Sequence, residues 1–109
     1  MELVKEIYRV TREFPKEEIY GLVSQMRRAA VSVPSNISEG AARGGDREFI
    51  QFLIIARGSL SELETQLLIS NDLGYMQDAP NIQERIDRIF SMIGGLLRSL
   101  RERVNTKNE

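Results

Sequence analysis

From Arg47 to Leu73 the chain places Phe49, then Phe52 and Leu53, then Ala56, Leu60, Leu63 and Leu67 at steps of three or four positions, with no proline among them. That spacing is the repeat of one helix face; a strand would alternate every second residue. A stripe this long must be buried against other helices, so this segment commits the chain to a helical assembly. Three further segments fit the same pattern. Leu3, Ile7, Val10 and Phe14 predict a helix from about Glu2 to Phe14. Pro15 ends it, because the residue before a proline is pushed out of the helical region. Pro15, Glu17 and Glu18 suit the first turn of a second helix reaching about Ala42, with Leu22, Met26, Ala29, Val33 and Ile37 on one stripe. Pro34 lies inside that helix and predicts a kink near Val31, with Ser32, Ser35 and Asn36 able to bond the freed backbone groups.

Gly44-Gly45 closes the second helix, and Asp46 reads as the N-cap of the third. Gly74 suits a left-handed terminator of that third helix. Asn71, Asp72 and the segment around Pro80 read as a loop. Asn81 followed by Glu84 resembles a capping box that opens a fourth helix. Its stripe is Ile82, Ile86, Ile89, Ile93, Leu96, Leu100 and Val104, with Gly94-Gly95 off to one side. The final NTKNE reads as frayed. No segment reads as a strand, and short connections make consecutive helices antiparallel. The expected fold is all-α, an up-down-up-down four-helix bundle forming one domain over residues 1–109.

Composition narrows the chemistry. The 109 residues include no cysteine, histidine or tryptophan. Disulfides and thiol chemistry are excluded, and so are the commonest general base and the commonest transition-metal ligand. The Glu-x-x-His pairs that hold two irons in carboxylate-rich bundles cannot be written with these residues. EGAARGGD is neither a Walker loop nor a dinucleotide fingerprint, and no strand precedes it. Ser35 and Ser59 have no histidine to activate them. No enzyme activity, cofactor or metal is expected. There is no targeting segment and no apolar run long enough to cross a bilayer, so the cytoplasm is the expected compartment. A net charge of −1 argues against a strong nucleic-acid binder, although 12 of the 15 basic residues are arginine, which suits planar ion pairs and phosphate.

The candidate functional face lies on the second and third helices. At about 100° per residue, Arg28, Ser32, Ser35, Asn36, Glu39 and Arg43 fall within roughly a quarter-turn, directly beside the apolar stripe. Polar residues at the edge of a core form a seam inside an assembly or a recognition face. Glu39 with Arg43, and Glu62 with Arg57 or Arg28, read as buried ion pairs. The favoured meaning is a polar network, with Ser59, that fixes helix register or oligomer symmetry. A phosphate or nucleic-acid contact built from Arg28, Arg43, Arg47 and Arg57 is the alternative. Catalysis by Glu39 and Glu62 has the least support. On the third helix Ile50, Ile54 and Leu68 make a second apolar face, with Ile55 and Ile69 elsewhere on the wheel. Such a face predicts self-association.

Three motifs carry a resemblance in combination: Gln25-x-Arg27-Arg28-Ala29, Pro34-Ser35-Asn36-Ile37-x-Glu39-Gly40 and Ala56-Arg57-Gly58-Ser59-x-x-Glu62. Over roughly residues 3–100 the chain resembles the four-helix-bundle proteins encoded in intervening sequences of bacterial 23S ribosomal RNA genes. The resemblance implies an antiparallel bundle that assembles into rings, as pentamers, with no established enzyme activity. It also implies a distant relationship to the accessory variability protein of diversity-generating retroelements, a basic pentameric bundle that works with a reverse transcriptase and nucleic acid. RNA or DNA is therefore an implied partner alongside further copies of the chain. Two departures matter. The family pattern extends the first helix with a Trp-containing segment, so that helix is expected to be less well anchored here. The retroelement protein is basic, whereas this chain is slightly acidic.

Overall fold

A computed structural model describes residues 1–77 and 79–107. Four helices carry the fold: α1 (Glu2–Thr11), α2 (Ser24–Ala42), α3 (Asp46–Asp72) and α4 (Ala79–Lys107). No strand occurs among the described residues. Ser32 meets Ser59 while Met26 meets Ser70, so numbers rise along α2 as they fall along α3. Glu64 meets Gln83 while Asp46 meets Arg103, which makes α3 and α4 antiparallel in the same way. α1 turns back on α2, with Tyr8 and Thr11 both against Arg27. The bundle measures 55 × 23 × 18 Å because three long helices share one axis.

The core follows the sequence stripes closely. Leu3, Ile7, Met26, Val33, Leu53, Ala56, Leu60, Leu63, Leu67, Ile82, Ile86 and Ile93 are sealed from solvent. Leu97 is buried too, whereas Leu22, Ile37, Phe49, Ile89 and Leu96 only pack against the core's edge. An α-helical stripe drifts around its axis relative to a straight neighbour, so residues at its margins leave the core.

Several boundaries differ from the sequence reading. α1 stops at Thr11, three residues before the expected end, and Phe14 reaches the core from the following turn. The connection to α2 is not a plain first turn. Lys16–Glu18 form a 3₁₀ turn and Ile19–Val23 a π-helical turn, and the regular helix starts only at Ser24. Gly21 sits in this turn at φ −106°, ψ −107°, far from helical values. Pro34 leaves α2 continuous to Ala42. Asn36 Nδ2 donates to the Ser32 carbonyl at 2.8 Å; the carbonyl that Pro34 leaves without its donor is that of Ala30.

Gly45, not Asp46, occupies the N-cap position of α3, with extended dihedrals. Asp46 is the first helical residue and is pulled to the far helix by Arg103 (3.0 Å) and Lys107 (3.3 Å). α4 begins at Ala79, which places Asn81 inside its first turn and removes the proposed capping box. Asn71 and Asp72 belong to α3. Gly74 closes that helix at φ 76°, as expected, with Tyr75 N–H reaching the Ser70 carbonyl at 2.9 Å. Of the final residues read as frayed, 105–107 continue α4, while Asn108 and Glu109 lie outside the described residues, as does Asp78 in the loop segment.

Candidate functional site: the seam between α2 and α3

The seam is built where two helices come close. Gly40 is buried against α3; a methyl group there would lie 2.6 Å from Phe52 Cβ and 3.0 Å from Phe49 Cδ1. Glycine is what lets the two backbones approach at this end. Further along, Ser32 and Ser59 share a hydroxyl–hydroxyl bond of 2.7 Å, and Asn36 donates to Ser32 Oγ at 2.9 Å. At the other end Ser70 Oγ donates to Met26 Sδ at 3.3 Å and to its own helix at Gln66 O. Small and polar residues thus tie α2 to α3 along most of their contact. Hydroxyl pairs of this kind are directional, so they fix register as apolar packing alone does not.

The structure keeps part of the expected constellation and disperses the rest. Glu39 and Arg43 do pair, at 2.8 Å, but both side chains are about half exposed (53% and 50%), so this is a surface ion pair and not a buried one. Arg43 also lies 5.3 Å over the Phe52 ring. Glu62 pairs with neither Arg57 nor Arg28; it accepts from Gln66 Nε2 at 3.2 Å. Five residues separate Arg57 from Glu62, which places them about 140° apart on the helix. Ser35 points to solvent. Arg28, Arg47 and Arg57 are exposed and form no ion pair among the described residues. Arg28 borders the cleft between α1 and α2, Arg47 sits beside the end of α4, and Arg57 lies on the opposite flank of α3 from Ser59. The four arginines therefore do not converge on one site.

α3 leaves apolar side chains uncovered on both flanks. Ile50 is half-buried at the core's edge, while Ile54 (41% exposed) and Leu68 (57%) stand out on the flank toward α4. Leu68 there borders a shallow hollow with Pro80 and Gln83. On the seam flank, Ile55 (51%), Ile69 (45%) and Leu73 (54%) form a second row. Ile55, Ser59, Glu62, Gln66, Ile69 and Leu73 share an arc of roughly a quarter-turn. Gln66 is buried on this row, and its Oε1 has no hydrogen-bond partner among the described residues. The sequence contained the signal for this row, since Ile55 and Ile69 lie off the main stripe. Their adjacency to the seam appeared only once α2 was in place.

These features define a class: an all-helical four-helix bundle whose second and third helices meet across a close, polar, glycine-containing seam. A family model described as 23S rRNA-intervening sequence protein matches residues 1–95, and the chain belongs to that family. No curated protein matches it. No helix among the described residues is long and apolar enough to cross a membrane.

Proposed function

We propose that this protein is a non-enzymatic, cytoplasmic scaffold or accessory factor that works as a homo-oligomer, its subunits meeting over the exposed rows of α3. The observation that carries this reading is the set of five large aliphatic side chains on α3 and its C-cap, each more than two-fifths exposed. Apolar rows of that kind on a small chain favour burial against a partner. A pentameric ring is the stoichiometry that the family resemblance implies. The alternative of one nucleic-acid face shared by Arg28, Arg43, Arg47 and Arg57 is not favoured, because the four lie apart and Arg43 is held by Glu39.

Light scattering after size exclusion tests the reading. The wild type is expected to elute with the mass of several chains. Ile55→Glu tests the seam row and Leu68→Glu the opposite row; the row that forms the contact yields monomers when charged. A monomeric wild type across the micromolar range overturns the proposal.

A further inference from the structure

A sizeable cleft lies away from the seam. It lies where α1 runs into the 3₁₀ and π-helical turns ahead of α2, and measures about 820 Å³. Arg12, Lys16, Arg27 and Arg28 line it, and no carboxylate does. In a chain with 16 acidic and 15 basic residues, four cations without an acid is a local reversal of the overall balance. Glu17 and Glu18 belong to the 3₁₀ turn at the cleft's edge but do not line it, and Glu18 is engaged by the Tyr75 hydroxyl at 2.9 Å. Arg27 is held in place: its Nε donates to Thr11 Oγ1 at 2.9 Å and its guanidinium lies 4.5 Å over the Tyr8 ring. Tyr20 also lines the cleft, and it is 95% exposed. The non-helical Gly21 follows it directly, so the break in the chain carries Tyr20 outward and opens the cleft.

A ring that gains no burial inside its own protein, beside a positioned arginine and three cations that form no ion pair among the described residues, has the make-up of a platform for single strands. Bases stack on exposed aromatic rings while the backbone phosphates follow the cations. We infer that this cleft binds single-stranded nucleic acid, with a base on Tyr20 and phosphates at Arg12, Lys16 and Arg28. Charge complementarity selects this occupant, and the site does not depend on the scaffold reading of α3.

Fluorescence anisotropy of a labelled oligo(U) strand tests the inference at several salt concentrations, with light scattering on the same samples. Wild-type affinity is expected to fall steeply with salt. Tyr20→Ala should weaken binding by about 5- to 150-fold, the range for losing one stacked base. The double variant Arg12→Glu with Lys16→Glu should weaken it at least as much and flatten the salt dependence. All three residues are exposed, so helicity by circular dichroism is expected to be unchanged. Arg47→Glu and Arg57→Glu, away from the cleft, should bind as the wild type does. The inference is overturned by absence of salt-sensitive binding, by equal losses at Arg47 and Arg57, or by Tyr20→Ala binding normally. Displacement of the strand by equimolar uridine monophosphate also overturns it in favour of a mononucleotide pocket. A drop in oligomer mass in the Tyr20 or Arg12/Lys16 variants with unchanged binding overturns it in favour of a subunit contact.

Discussion

α3 has two neighbours, and it is joined to them by different means. Toward α2 the contact uses small groups: Gly40 against Phe52, and the Ser32–Ser59 hydroxyl pair at 2.7 Å. Toward α4 the polar links are long side chains at the rim, Gln83 to Glu64 at 2.6 Å and Arg103 with Lys107 to Asp46. The difference teaches where the bundle tolerates change. A close contact between backbones has no slack, whereas a bridge of flexible chains can rearrange or be replaced by water. The α2–α3 side should therefore respond to single atoms, and the α3–α4 rim should not.

The largest effect is expected at the core that both contacts share. Leu60 is completely buried, and Leu60→Ala should cost about 2–5 kcal/mol in urea unfolding. Gly40→Val comes next and tests the close contact directly. Its side chain must displace Phe52 Cβ, and overpacking of this kind costs about 1–3 kcal/mol. The same chemistry should have the opposite sign in α4. A methyl at Gly94 or Gly95 meets nothing within 4 Å, so Gly94→Ala should stabilise the subunit by about 1 kcal/mol through helix propensity. Destabilisation there would break the comparison and point to a close intersubunit approach at that position.

Smaller effects sharpen the contrast. Ser59→Ala leaves Ser32 without its cross-helix partner and should cost about 0.5–1.5 kcal/mol. Arg103→Ala at the rim should cost less than about 1 kcal/mol and lose even that in high salt, because the arginine is largely exposed. The smallest effect concerns pH. The Tyr75 phenol is raised above its usual value of 10.0, first by its hydrogen bond to Glu18, then by burial and by the charges of Glu18 and Glu17. The protonated form is the one favoured by folding. Its contribution is complete below the ordinary phenol value and is lost as pH rises through the raised one. Tyr75→Phe should lower unfolding midpoints slightly near pH 8, where the phenol–carboxylate bond is intact, and reduce their fall toward about pH 11.

The expected site and the observed one agree where local geometry decides and part where it does not. Glu39 and Arg43 are four apart on one helix, and their pairing follows from that spacing alone. Whether the pair is buried depends on what stands opposite, and Phe52 covers only one side of Arg43. Ser32 and Ser59 both read as members of a polar network, but their mutual bond needs the register between α2 and α3. The cleft by α1 was least legible. Tyr8, Lys16 and Arg27 lie on three separate elements, with Arg12 in the turn after α1, and nothing in their spacing signals convergence. The glycine that shapes it, Gly21, sits in an otherwise helical pattern.

By itself the sequence determined the number of helices, their order, and nearly all of the core. Periodicity and the punctuation by Pro15, Gly44 and Gly74 are local properties, fixed by backbone sterics and by which residues prefer to leave water. Tertiary structure alone decided the exposure of the α3 rows, the separation of Arg28 on α2 from Glu62 on α3, and the gathering of four cations at the cleft by α1. Those depend on the distance and rotation between helices, and packing sets both only after the separate stripes have met.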